Sequence, residues 1–279
     1  MFTRMKQGWA LTKKSWSVVR EHPGLAKLPL IGGVLAVVAA LVFIAPGAFL
    51  AASDPDATRL AGYVLIAIGA YLASFLVIYY NVILAAAAND ALEGREPDVD
   101  AARQIAKNRL PTIAGWALIS SLVSLMFAIL RDRGGIAGRL AATFGAAIWG
   151  LVTFLVVPVL ALEGVGPVDA IKRSGSLVRQ RWGQQVTGNL VIGGIATVFT
   201  FIGVGAMVGG VVLISGGTAW GVLGGVLVLL GLVVAVGASI FAGATRGVFG
   251  VALYHFVAED RAVGPFTTYE LASAATPRR

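Results

Sequence analysis

The sequence predicts an all-α protein, a polytopic membrane helix bundle of six transmembrane helices. These are arranged as three hairpins, each preceded by a cytoplasmic interfacial amphipathic helix. Three observations lead there. Apolar runs of about 20 residues or more recur along nearly the whole chain, the length an α-helix needs to cross a hydrocarbon core. Only 13% of the 279 residues are charged, against roughly 25% in a soluble domain. The Lys and Arg residues gather on alternate connections between the apolar runs. With 57% hydrophobic residues, 36 glycines and a mean hydropathy of +0.84, a soluble domain is excluded.

The first element is a surface helix. Phe2, Met5, Trp9, Thr12, Trp16 and Val19 recur at helical spacing on one face, Lys6, Lys13 and Lys14 lie off it, and His22-Pro23-Gly24 ends it. Spanning helices follow at about 28–52, 58–89, 111–130, 138–162, 187–214 and 219–257. The first span ends in Ala51-Ala52-Ser53, which faintly resembles a signal-peptide cleavage site. The long region before it and the length of its apolar core argue for a retained span.

Orientation follows from charge. Arg4, Lys6, Lys13, Lys14, Arg20, Lys27, Arg95, Arg103, Lys107, Arg109, Lys172, Arg173, Arg179, Arg181, Arg261, Arg278 and Arg279 fall on one set of flanks. Only Arg59, Arg131, Arg133 and Arg139 fall on the other. Cytoplasmic flanks retain positive charge, so both termini are expected in the cytoplasm of a cell-membrane protein. The same asymmetry accounts for the net charge of +8 without nucleic acid as a partner.

An internal repeat organises the chain. Ala91-Leu92-Glu93-Gly94, Pro97 and Val99-Asp100-Ala101 match Ala161-Leu162-Glu163-Gly164, Pro167 and Val168-Asp169-Ala170, and a looser copy follows at Ala258-Glu259-Asp260 and Gly264-Pro265. Each proline opens a segment of helical periodicity with Asp100 or Asp169 in its first turn, where a carboxylate suits the helix dipole. In the helix after Pro167, Ile171, Val178 and Trp182 share a face ringed by basic residues. One domain over 1–279 is therefore expected, in units of about 1–94, 95–164 and 165–266, with 267–279 a short polar tail. Such symmetry fits a transporter and equally the duplication of a plain membrane anchor.

Arg246 is the outstanding residue of the apolar runs. It lies eleven residues before Val257, about 16 Å along a helix axis. It either faces a partner or wet cavity near the midplane, or it snorkels from a boundary near Gly243. Asn81 lies twelve residues before Glu93 and Arg246 thirteen before Glu259, so the repeat brings both to one depth. With Asn189 and Glu163 they form a candidate intramembrane polar site; the alternative for the asparagines is interhelical hydrogen bonding. Glu163 is also placed to pair with Arg173 or Lys172. Pro158 should kink or loosen the fourth span. Small-residue spacings at Gly205/Gly209, Gly221/Gly225 and Gly243/Gly247 mark close helix packing.

Enzymatic constellations are missing. There is no Walker lysine, no Gly-x-Ser-x-Gly elbow, no HExxH and no cysteine, and Ser174 and Ser176 have no orienting base. No enzymatic activity, cofactor or metal is expected.

The run Val157-Pro158-Val159-Leu160-Ala161-Leu162-Glu163-Gly164, with Pro167, Ala170-Ile171-Lys172-Arg173-Ser174 and Trp182-Gly183, resembles an uncharacterised family of prokaryotic six-helix membrane proteins, a domain of unknown function. Trp9, Leu11, Lys14-Ser15-Trp16 and Ala252-Leu253-Tyr254 carry the likeness over most of the chain. More distantly, the sequence is similar to the membrane domain of some glycerophosphodiester phosphodiesterases. The His and metal-carboxylate motifs of their catalytic barrel have no counterpart in these residues, so the resemblance implies a fold and a location only.

Two functions remain in competition. The first is a non-enzymatic module that engages membrane lipids, anionic ones in particular, or a protein partner at the cytoplasmic face through Lys172, Arg173, Arg179, Arg181, Trp182, Trp9 and Trp16. The second is a small-solute or lipid transporter with its site around Arg246 and Asn81.

Overall fold

The computed structural model describes residues 2–53, 56–181, 187–214 and 218–275, with side chains for 8–53, 56–180, 199–214 and 220–272. Among these residues the chain forms twelve α-helices and one π-helical turn, without strands. Five stretches are long and apolar enough to cross a membrane: Gly24–Ala51, Asp56–Leu92, Leu110–Arg133, Gly135–Leu162 and Trp220–Ala258. The protein is a multi-pass membrane protein. The first stretch is α2 (Gly24–Ala39), the π-helical turn (Ala40–Ile44) and α3 (Ala45–Ala51), and the second is α4 (Asp56–Leu92). The third is α6 (Leu110–Arg133), the fourth α7 (Gly135–Val152) with α8 (Val156–Leu162), and the fifth lies in α11 (Thr218–Ala258). The expected run 187–214 is helix α10 (Thr187–Ile214), whose described apolar part is Phe199–Ile214. The remaining helices are α1 (Phe2–Glu21), α5 (Val99–Asn108), α9 (Pro167–Arg181) and α12 (Thr268–Ala275).

Two helices are much longer than a bilayer core. At 1.5 Å per residue the 37 residues of α4 extend about 55 Å. Their surroundings change along the length. Exposed large apolar residues run from Leu60 to Val77 on α4, from Trp220 to Val236 on α11 and from Leu30 to Phe49 on α2 and α3. Each stretch covers about 24–29 Å, close to a ~30 Å hydrocarbon core. Beyond this aliphatic belt, Val82, Ile83 and Leu84 of α4 and Phe249, Val251 and Leu253 of α11 are buried by protein. The core therefore sits at the basic end, where α1 packs on α10 and α11, α5 on α4, and α9 on α6, α7, α8 and α11.

Glycines set the closest approaches. A Cβ on Gly62 would stand 2.3 Å from the Ala51 nitrogen and 2.6 Å from the Gly47 oxygen, so α3 and α4 meet backbone to backbone. Between α10 and α11 the contact pairs are Gly203 with Gly231 and Gly210 with Gly224. This corrects the expected spacing: a Cβ on Gly205, Gly209, Gly221 or Gly225 would meet nothing within 4 Å, whereas Gly243 and Gly247 do pack tightly, against Pro29 and Leu84. The α10–α11 contacts recur at a seven-residue period, the repeat of a shallow helix crossing, and not at four.

The fourth span is broken. Pro158 has no N–H, which would leave the Phe154 carbonyl without its helical donor. Helix α7 ends at Val152, residues 153–155 form a turn, and α8 restarts at Val156 with Pro158 in its first turn, where an N–H has no helical partner. Helices α4 and α8 then end at Gly94 (φ +77°) and Gly164 (φ +71°), the left-handed positions that favour glycine, and after α11 Asp260 takes φ +55°.

Two expectations shift. The inward face of α1 consists of Leu11, Thr12, Ser15, Val18 and Val19, while Trp9 is 44% exposed. The face is rotated because α10 and α11 bury it, where an interfacial helix would turn its largest apolar rings to lipid. The tail also contains structure: α12 buries Leu271 completely, and Lys14 Nζ on α1 donates to the Pro265 carbonyl at 2.8 Å and to Glu270 Oε2 at 2.6 Å.

Candidate functional site

A cavity of about 610 Å³ lies between α4, the broken fourth span, α10 and α11, and it is walled by Phe154, Pro158, Phe201, Ala242 and Gly250 among others. Arg246 and Asn81 both line it. The α11 residues that reach it, Ser239, Ala242, Gly243, Arg246, Gly247 and Gly250, recur three or four apart and so form one helix face. Among the described residues, Arg246 is its one charged lining residue. Among the described residues, neither the Arg246 guanidinium nor the Asn81 amide has a hydrogen-bond or ion-pair partner.

Sequence left two positions open for Arg246, near the midplane or by a boundary near Gly243, and the exposed apolar residues locate the site relative to them. Asn81 lies four residues past Val77 and Arg246 ten past Val236, the last exposed large apolar residues of α4 and α11. Gly243 packs on Pro29, which directly precedes Leu30, the start of the belt on α2. The cavity thus sits at the basic edge of the aliphatic belt. The apolar run continues to Val257 because protein buries most of residues 242–257, among them Ala244, Val248, Phe249 and Leu253, while Arg246 itself stays exposed toward the cavity.

Glu163 does not line this cavity. Its Oε1 accepts from Arg173 Nε and from the Tyr254 hydroxyl, both at 2.9 Å, tying α9 and α11 to the end of α8. Lys172 Nζ stands 3.6 Å from Asp169 Oδ1, and Arg179 is exposed. Ser174, fully buried, closes the break in the fourth span: its hydroxyl donates to the Val152 carbonyl at 2.6 Å and accepts from the Leu155 N–H at 3.2 Å. Arg109 donates to the Leu160 carbonyl, in the last turn of α8, and packs on Gly164; burial pushes its guanidinium below its ordinary value. The basic-serine segment is thereby a docking device for α9.

The ends of α4 and α11 share a polar network. His255, 3% exposed, holds its ring nitrogens 2.6 Å from Asn89 Oδ1 and 2.7 Å from Glu259 Oε2. Arg261 donates to Glu93 at 2.9 Å and to Glu259 at 3.1 Å, and Arg95 joins Glu93 to Asp90. Hydrogen bonds from Arg261 and then Arg95 hold the Glu93 carboxyl below the usual carboxylate range. At Glu259 burial pushes upward, but the hydrogen bonds from His255 and Arg261 outweigh it and the carboxyl also falls below that range.

Of the other expected residues, Trp16 packs its ring 4.9 Å from that of Phe241, and Lys13 Nζ lies 5.5 Å over Trp9. Trp182 and the side chains of Arg181 and Asn189 lie outside the described residues. Sequence reasoning missed Arg109, Ser174, His255 and Asn89 as linking residues, because their partners are up to 166 positions away. Ser239 was missed at the cavity; its three- and seven-residue spacings from Ala242 and Arg246 were the available signal. No group of three or more potential metal-ligating side chains occurs among the described residues.

No curated protein matches the chain. The family model of DUF6159, a family of unknown function, matches residues 60–264, which span α4 to the segment after α11, and the chain belongs to that family.

Proposed function

We propose that this is a non-enzymatic protein of the cell membrane, with six spans in three hairpins and both termini cytoplasmic, that binds the headgroup of an anionic membrane lipid. The observation that carries this reading is an arginine and an asparagine that line one cavity at the edge of the aliphatic belt, neither with a partner among the described residues. A guanidinium beside apolar walls at that edge is partly desolvated and is stabilised by a counter-charge that reaches it. A lipid phosphate reaches that depth, carries the opposite charge and accepts from both the arginine fork and the asparagine amide. The basic ends of α1, α5 and α9 add attraction to an anionic leaflet, ~1 kcal/mol for each well-placed Lys or Arg.

This shifts the emphasis from the α9 surface, where Arg173 is committed to Glu163 and Lys172 lies beside Asp169. Native mass spectrometry of the protein released from mild detergent tests the reading. Retained anionic phospholipid should be lost in Arg246→Ala and kept in Lys172→Ala/Arg179→Ala. Loss only in the α9 variant would move the site to that surface. Solute flux in proteoliposomes that Arg246→Ala abolishes, with no lipid retained, would make the protein a transporter.

A further inference from the structure

The cavity around Arg246 does not stand alone. A second, apolar hollow of about 390 Å³ runs between α2 and α11, lined by Pro29, Gly33, Val37, Leu232, Val236 and Ile240 among others, and Ser239 belongs to both. Ser239 lies seven residues from Arg246, two helical turns, so the two hollows follow one face of α11 in succession. Their order is that of an amphiphile. The charged hollow lies at the edge of the aliphatic belt, and the apolar one runs from Pro29 to Val38 and from Ile240 to Leu232, inward along the belt for about 12–14 Å.

Gly33 opens this groove. A Cβ added there would meet nothing within 4 Å, although its neighbour Gly32 is filled by Tyr80 at 2.8 Å. The space at Gly33 is therefore unoccupied by the protein's own packing.

Charge narrows the ligand. Among the described residues, Arg246 is the one charged residue lining the head cavity, with the Asn81 amide as a second donor. One fixed positive charge balances one negative charge. A phosphomonoester would bring close to two, and a zwitterionic headgroup would bring a cation of its own toward the guanidinium. A carboxylate would leave most of a 610 Å³ cavity empty.

We infer, building on the lipid-binding reading, that the ligand is a glycerophospholipid with a single-charge phosphodiester headgroup, whose phosphate sits between Arg246 and Asn81 while one acyl chain lies in the α2–α11 groove past Ser239 and Gly33. The groove makes the site selective for chain as well as head. It also clamps α2 to α11, since the chain touches both.

The full-length protein in mild detergent is titrated with long-chain phosphatidylglycerol, and with phosphatidylcholine, phosphatidate and oleate of matched chain length. Retention is read by native mass spectrometry and folding by thermal melting. Phosphatidylglycerol should be retained in preference to the other three. Arg246→Ala should cut that retention about tenfold or more, as expected for losing a charged hydrogen bond. Gly33→Phe, which fills the groove, should weaken it severalfold with the head site intact, and Val236→Trp on the facing wall should do the same if the first variant does not fold.

Full retention in the folded groove variants, with loss in Arg246→Ala, overturns the chain placement and leaves the headgroup site standing. Full retention in Arg246→Ala overturns both. Stronger retention of phosphatidate, phosphatidylcholine or oleate overturns the single-charge phosphodiester. A wild-type dimer that the groove variants dissolve would place a second copy of the chain in the groove, and the lipid chain would be excluded from it.

Discussion

Replacing Ser174 by alanine removes one oxygen from a fully buried site and should be among the more damaging small changes in the molecule. Its hydroxyl bridges the break in the fourth span, donating to the Val152 carbonyl at 2.6 Å and accepting from the Leu155 N–H at 3.2 Å. Both backbone groups lie where Pro158 has interrupted the helical ladder, so no i to i+4 partner stands ready to replace the serine. An orphaned buried donor or acceptor costs about 1–3 kcal/mol, and two of them give about 2–4 kcal/mol if the turn relaxes partly. Ser176→Ala is the matched control: its exposed hydroxyl donates only to the Arg173 carbonyl one turn back, and the change should stay within about 0.5 kcal/mol. Denaturation by SDS titration in mixed micelles, followed by circular dichroism, measures both. Equal midpoints for the two variants would refute the argument that Ser174 holds the break closed.

Other outcomes follow from the same geometry. Gly62→Leu should destabilise by about 1–3 kcal/mol or more through overpacking, since its Cβ alone would fall 2.3 Å from the Ala51 nitrogen; Gly33→Ala, in open space inside α2, should not destabilise and should raise the melting midpoint slightly. Gly164→Ala forces a side chain into φ +71° beside Arg109 and should cost about 1–2 kcal/mol in the same titration. Because the Glu93 carboxyl is held below its unfolded value, its ion pairs stabilise the fold above the ordinary carboxylate range and lose that effect as pH falls through the folded value. The stability gap between wild type and Glu93→Gln should therefore be flat from about pH 8 to 5 and shrink below about pH 4. A gap that does not change between pH 5 and pH 3 would assign Glu93 a role other than charge pairing.

Helix ends are carried by local sequence. Glu93-Gly94 and Glu163-Gly164 mark helix ends because a left-handed residue is needed there, and Asp98 caps α5 by accepting from the Asp100 and Ala101 amides, all within a few positions of chain. The same holds for the break before Pro158. The pairing of Glu163 with Arg173 spans ten residues and was visible as one of two alternatives. By contrast the bond from Tyr254 to the same carboxylate spans 91 residues, and no local pattern distinguishes it.

The sequence by itself determined that this is a helical, multi-pass membrane protein and where its helices end and break. Those features depend on composition, proline and glycine chemistry and the spacing of a repeat, each of which acts over a turn or two of helix. Only the tertiary structure decided which apolar stretches face lipid and which face protein. Hydropathy is the same for Leu230, 55% exposed in the belt, and Leu253, fully buried beneath the basic-end helices. That distinction sets Arg246 past the last exposed large apolar residue of α11 and joins it to a groove between α2 and α11, because burial is a property of how helices pack, which a single helix cannot express.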